Sequence, residues 1–233
     1  MILNEIKILR KLNHPDIVKL HEVFELAGQV CLVMDYLEGD KLFSYITRHK
    51  ILSERSTAYI MKQIFLMLNY LEEQEIIHRD IKPENIIYTK DEKNNLKLKL
   101  IDFGLGTYHK KRDIIKKCGT AGYVAPEILL GEPYDFKADL YSAGIIMYIC
   151  LLGRPAFYGR DYEEVLARNK KGSIRFKGQT WSKLSIEAQD LLEKLLEPAP
   201  SSRISISEAL NHSWLYKNIP AEDRKDLSDC IFK

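Results

Sequence analysis

His78-Arg79-Asp80-Ile81-Lys82-Pro83-Glu84-Asn85 is the stretch from which the rest of the chain is read. It sets a carboxylate, a lysine and an amide within six residues. Pro83 stops a helix from running through, so the segment reads as a loop with fixed side-chain directions. About twenty residues on, after a hydrophobic run that reads as a strand, stands Asp102-Phe103-Gly104, followed by Ala125-Pro126-Glu127. A lone His-Arg-Asp carries little. The octapeptide with two further motifs in this order and spacing leaves little room for coincidence.

The totals set bounds on what this loop can belong to. The 233 residues are 45% hydrophobic, enough for one large core or two small ones. A formal net charge of +2 gives no reason to invoke nucleic acid or a membrane surface as partner. The basic runs Lys110-Lys111-Arg112 and Lys116-Lys117 read as solvated loop. Cys31, Cys118, Cys150 and Cys230 are too widely spaced for a zinc site or a compact disulfide framework. Reduced thiols are expected, hence a cytoplasmic location, with the nucleus as the other option. Met1 to Arg10 alternates charged and apolar residues and is no signal peptide. The apolar stretch from Leu140 to Leu152 is too short for a bilayer and reads as a buried helix.

Upstream of the loop, Ile2, Ile6 and Leu9 recur at helical spacing over residues 2–12. Apolar runs at Ile17 to Phe24 and Val30 to Tyr36, split by Ala27-Gly28-Gln29, give a hairpin signal. Glu38-Gly39-Asp40 breaks that pattern, and a short helix fits Leu42 to Arg48. Ser53 is placed to cap a long helix with the stripe Ile60, Ile64, Leu68 and Leu71. Short strands are expected at Ile86 to Tyr88 and Leu96 to Ile101, flanking Lys90 to Asn95 and setting the 78–85 loop beside Asp102. Past Glu127 the pattern is helical. Phe136 to Leu152 is apolar nearly all round, Asp161 to Arg168 is amphipathic, Ser185 caps a helix, and Ser205 with Glu208 forms a capping box. Residues 217–233 read as a polar, loosely held tail.

With these motifs in this order, the chain resembles the eukaryotic protein kinases. The resemblance implies an α+β, kinase-like fold with a mainly helical large lobe and a partial small lobe of one helix and two strands. It divides the chain into a small-lobe part (1–34), a hinge (35–37), a large lobe (38–216) and a tail (217–233). It implies transfer of the ATP γ-phosphate to serine or threonine of a protein substrate, with Mg2+ as cofactor. Asp80 is then the catalytic base, Lys82 neutralises the transferring phosphoryl group, and Asn85 and Asp102 hold magnesium. Hard oxygen ligands suit that ion. Lys82 and Thr120 match the serine/threonine class. The backbone of Asp35 and Leu37 would read adenine next to the gatekeeper Met34, with Ile87 beneath the ring. Glu84 falls with the nucleotide-facing group and also matches an acid that recognises basic residues of the substrate. A lysine, Lys41, stands where a second such acid is found, so preference for basic substrates is left open. Leu9, Leu20, His78 and Phe103 match the hydrophobic spine and Asp139 its anchor. Glu127 should pair with Arg203, and Glu5 matches the helix glutamate that meets a strand lysine.

That lysine and a G-x-G-x-x-G loop are missing from these residues. Gly104-Leu105-Gly106 begins the spacing, but His109 stands at its last position. Two readings follow: a kinase fragment of weak or no activity as it stands, or a kinase-like scaffold acting as a binding module. The first is preferred because the catalytic positions are intact. The run from Tyr134 to Asp139, then Gly153-Arg154-Pro155-Ala156-Phe157, Trp181 and Arg203 to Trp214, resembles the calcium/calmodulin-dependent kinase group. It is most similar to calcium-dependent protein kinases, with Tyr141 in place of the usual tryptophan. No Asp-x-Asp-x-Asp-Gly loop supports direct calcium binding.

Overall fold

The computed structural model describes residues 2–91, 95–109 and 114–224. The run Lys110-Lys111-Arg112, the middle of the 90–95 loop, Cys230 and the other residues of 225–233 lie outside them.

Helix α1 (Ile2–Lys11) buries Ile6, Ile8 and Leu9, while Ile2 stays exposed. Strands β1 (Leu20–Leu26) and β2 (Gln29–Met34) pair antiparallel through a turn in which Ala27 and Gly28 have φ +51° and +76°. Left-handed residues at both turn positions match the right-handed twist of the strands they join. The hairpin starts later than its apolar run suggests. Ile17 leaves it, is 1% exposed, and makes a parallel bridge to Leu100. The main core competes for this side chain and wins. A two-stranded ribbon cannot cover both its faces. Phe24, Leu26, Val30, Val33 and Met34 are accordingly exposed.

Asp40 and Lys41 do more than end a pattern: they form β3 (Asp40–Lys41), paired to a later strand, and lead into α2 (Leu42–His49). Helix α3 (Glu54–Glu73) starts where Ser53 Oγ accepts the Ser56 N–H at 3.1 Å. Its stripe Ile60, Ile64, Leu68 and Leu71 is buried, each side chain contributing up to roughly 1.5–3 kcal/mol. The helix delivers the chain to β4 (Ile76–Ile77) and the 78–85 loop. Strands β5 (Ile86–Lys90) and β6 (Leu96–Leu100) complete an antiparallel β3-β5-β6 sheet, and β7 (Thr107–Tyr108) pairs back to β4.

The rest is helical: α4 (Pro126–Leu130), α5 (Lys137–Leu152), α6 (Tyr162–Lys171), α7 (Gln179–Ser182), α8 (Ile186–Leu195), α9 (Ile206–Leu210) and α10 (Ser213–Asn218). Helix α5 is buried on almost every side, as its composition requires. Caps from Asp161, Ser185 and the Ser205–Glu208 box start α6, α8 and α9. Glu54 ties three helices together. Its carboxylate accepts from Ser185 N at 2.8 Å, Ser185 Oγ at 2.6 Å and Trp214 Nε1 at 2.8 Å. The start of the tail is not loose. Ile219 is fully buried, and Asp223 takes Tyr59 Oη and Lys62 Nζ from α3 on its carboxylate and carbonyl. Among the described residues no helix is long and apolar enough to cross a membrane. Helices segregated from short antiparallel strands make the architecture α+β.

Candidate active site

The 78–85 loop is fixed from beneath. The Asp139 carboxylate, from the first turn of α5, accepts the His78 N–H at 2.7 Å and the Arg79 N–H at 2.8 Å. Burial pushes the Asp139 carboxyl up to about 6, against the pull of those two donors. Arg79 has φ +68°, a conformation that costs a non-glycine residue about 1–3 kcal/mol. Its side chain is held by Leu105 O at 2.7 Å, Gly106 O at 3.4 Å and Tyr134 Oη at 3.1 Å. Lys82 is extended, as a residue before proline must be, and Pro83–Asn85 forms one 3₁₀ turn.

This frame brings three side chains into a closed triangle. Thr120 Oγ1 donates to Asp80 Oδ1 at 2.6 Å and accepts from Lys82 Nζ at 2.8 Å; Lys82 Nζ is 2.8 Å from Asp80 Oδ2. Thr120 reaches the loop because Gly119, at φ +102°, lies so close that a Cβ there would sit 2.9 Å from Arg79 O. Asn85 closes the other side. Its Nδ2 donates to Asp80 Oδ2 at 2.9 Å and to Asp80 O at 3.0 Å. Burial works against a charge on Asp80, but the Lys82 ammonium and the Thr120 hydroxyl outweigh it, and the carboxyl lies below its usual range. The site holds an ionised, acceptor-only carboxylate with its geometry set in advance.

Ile101 N donates to Asn85 O at 2.9 Å, which sets Asp102 beside this loop. Asp102 is exposed, has φ +64°, and takes the Gly104 N–H on Oδ1 at 3.1 Å. Phe103 is fully buried, its ring edge-on to His78 at 4.8 Å between centroids. His78 is also fully buried; burial pushes it down to about 4. Its Nδ1 accepts the Asp80 N–H at 3.2 Å, which leaves the ring proton on Nε2, facing Ile101 O at 3.4 Å. The histidine is packing for the site, not part of its proton chemistry. Leu9 is buried on α1 and Leu20 half-buried at the start of β1.

Glu5, half-buried on α1, points at the same corner. A Cβ on Gly104 would lie 3.1 Å from Asp102 Oδ1 and 3.8 Å from Glu5 Oε2. Burial first, and the Asp102 charge second, raise its pKa. Among the described residues Glu5 makes no ion pair. Asp35 is pinned by Lys99 Nζ at 2.6 Å and His21 Nε2 at 2.8 Å, and Lys99 first among its donors holds the carboxyl down at about 2. Leu37 and Ile87 are partly buried nearby in sequence and sheet, with Ile87 opposite Lys41, while Met34 is 42% exposed. Glu84 has a buried Oε2 with no hydrogen-bond partner. Beneath this region Arg203 and Glu127 form a fully buried bidentate pair at 2.7 and 3.0 Å.

Sequence reasoning did not reach two further contributors. Tyr134 Oη links Arg79 to Lys116 O, and Asn169 of α6 holds Gly122 N and Val124 O, both at 2.8 Å. Both depend on tertiary contact between distant segments, and nothing local in the chain announces them.

The sequence model described as Protein kinase domain matches residues 1–215. The chain is 45% identical over 215 residues to "Calcium-dependent protein kinase 3" of Plasmodium yoelii yoelii, covering 91% of this chain and 40% of that protein. It is 41% identical to "Calcium-dependent protein kinase 5" of Plasmodium berghei (strain Anka), covering 91% and 38%. Against "Serine/threonine-protein kinase DCLK3" of Mus musculus it is 38% identical, covering 91% and 27%. The chain thus spans at most about two fifths of the length of these relatives.

Proposed function

The chain belongs to the protein kinase domain family, and we propose that it carries the phosphoryl-transfer segment of a serine/threonine kinase acting on a protein substrate. The observation that carries this reading is the Asp80–Thr120–Lys82 triangle. An ionised carboxylate beside an ammonium is what a hydroxyl acceptor and an anionic donor need at one point. The acceptor hydroxyl donates its hydrogen bond to Asp80. As its oxygen bonds to the γ-phosphorus and the bond to the bridging oxygen of ADP breaks, its proton passes to the Asp80 carboxylate. Lys82 faces the charge on the moving phosphoryl group, and Thr120 keeps Asp80 and Lys82 in register.

The donor set here fits magnesium. Asn85 commits its Nδ2 to Asp80, leaving Oδ1 for a metal, and Asp102 commits only Oδ1, to Gly104. Among the described residues no group of three or more His, Cys, Asp or Glu side chains could hold a metal ion, so binding also calls on phosphate oxygens of ATP. When bound, magnesium neutralises phosphate charge. The backbone of Asp35 and Leu37 with Ile87 forms the floor for adenine. Glu84, half-buried at the end of the loop, is the carboxylate for a basic substrate group. Free thiols at Cys31, Cys118 and Cys150 fit a reducing, cytoplasmic setting.

These residues by themselves transfer phosphate poorly, because they contain no glycine loop and no lysine partner for Glu5. The class assignment is tested in a chain extended N-terminally with a glycine-loop hairpin and a third-strand lysine. Serine and threonine peptides should be phosphorylated and the tyrosine twin not. Lys82→Ala should lower the rate by about two to three decades. Equal use of tyrosine, or an unchanged rate in Lys82→Ala, contradicts the assignment.

A further inference from the structure

A second concave surface lies away from the Asp80 triangle. Tyr148 of α5, Phe157 and Tyr158 of the following loop, and Arg168 and Lys171 of α6 line it, together with Arg154 and Arg175. Its cavity is about 320 Å³, and no acidic residue lines it. Four cations therefore converge on one pocket. Glu164, one turn before Arg168 on α6, is already shared by Arg168 at 2.5 Å and Arg160 at 3.2 Å. Among the described residues Arg154, Lys171 and Arg175 make no ion pair.

Cations in the last turn of α6 complement the helix dipole, which is the ordinary reason for Arg168 and Lys171. That reason does not extend to Arg154 and Arg175, which are off the helix. Two of the guanidinium groups are braced on rings: Arg154 lies 5.8 Å from the centre of Tyr148 and Arg168 5.1 Å from that of Tyr158. Bracing lowers the entropy lost when their N–H forks close on an anion. Buried Tyr148 and Phe157 line the pocket together with the four cations, a combination suited to an anion carried on a side chain with carbon around it. A flat lipid surface needs a plane of charge instead.

We propose that this pocket docks a phosphorylated segment of a protein. The site is tied to the rest of the fold through α6. Asn169, next in sequence to Arg168, is buried and holds Gly122 and Val124, just past Thr120. A segment docked here is held on the helix that braces residues 122–124, so that other parts of the same protein gain effective concentration near Asp80.

The test is direct binding to the 233-residue chain, independent of any transferase activity. The probe is a fluorescein-labelled peptide of alanine and leucine around one phosphoserine, with its serine and glutamate twins. Vesicles containing phosphatidylserine form the other arm. The phosphopeptide should bind at least ~10-fold more tightly than either twin, the yield expected of charge-assisted hydrogen bonds. Arg154→Gln, and separately the exposed pair Lys171→Glu and Arg175→Glu, should each remove that preference with an unchanged melting midpoint. Equal binding of the serine or glutamate twin, preference retained in the folded variants, or vesicle binding that the substitutions abolish while the peptides bind alike, would each overturn the proposal.

Discussion

The Arg79 guanidinium donates to the Tyr134 hydroxyl at 3.1 Å, and that hydroxyl donates to Lys116 O at 2.8 Å. Kinases with this arginine commonly neutralise it with a phosphorylated loop residue, and here the matching position is Lys116. Residues 109–118 contain no serine, threonine or tyrosine. Two carbonyls and a phenol occupy the arginine instead. Tyr134→Phe should cost about 1.5–3 kcal/mol in urea denaturation, the range for a hydrogen bond to a charged group. Amide exchange over 114–124 should quicken. An unchanged variant, or an activating phosphate found on Thr107 or Tyr108, argues against this arrangement.

Every N–H of the Arg203 guanidinium has an acceptor. Its N–H groups reach both Glu127 oxygens and the carbonyls of Lys137, Pro198 and Glu197, between 2.7 and 3.1 Å. Removing either partner strands a buried charge, so Arg203→Ala and Glu127→Ala should each lose about 3–5 kcal/mol. The double variant should lose clearly less than the sum. Additive losses in denaturant melts would mean that the two are not coupled.

Tyr141 lies under the same arginine, ring centre 4.9 Å from its guanidinium, and its buried hydroxyl has no partner. An unmade buried hydrogen bond costs about 1–3 kcal/mol. Tyr141→Phe keeps the ring and drops the hydroxyl, so it should leave stability equal or raise it. A fall of the thermal midpoint would show that the hydroxyl has a partner in solution.

His78 makes a pH prediction. Its folded pKa is depressed from 6.5 to about 4. Between those values the unfolded chain binds a proton that the folded chain does not. The stability contributed is present above pH 6.5 and is lost as pH falls through 4. The penalty of His78→Phe should therefore shrink by roughly 3 kcal/mol from pH 7 to pH 4. A penalty constant across that range would contradict a buried neutral histidine.

Local chemistry made much of this legible. Ser53, Ser185 and the Ser205–Glu208 box start helices because a cap needs only neighbours in sequence. The all-round apolar α5 could be nowhere but the centre. Asp80, Lys82 and Asn85 share one loop, so their convergence followed from its tight turn. Two-residue strands gave no periodicity to read, which hid β3, β4 and β7. Ile17 left its hairpin, and Asp223 settled on α3, for long-range reasons. Tyr134 and the cations around Arg154 show nothing until the fold assembles them.

The most direct measurement compares ATP γ-phosphate transfer to a serine peptide by the 233-residue chain, by the chain extended with a glycine-loop hairpin and lysine, and by that extended chain carrying Asp80→Asn. Each preorganised donor is worth about 3–4 kcal/mol in the transition state. Transfer at or near background is expected for the 233 residues, with a rise of several decades on extension and its loss in Asp80→Asn with the fold intact. Turnover of about one per second by the unextended chain, or full activity surviving Asp80→Asn, would contradict this expectation.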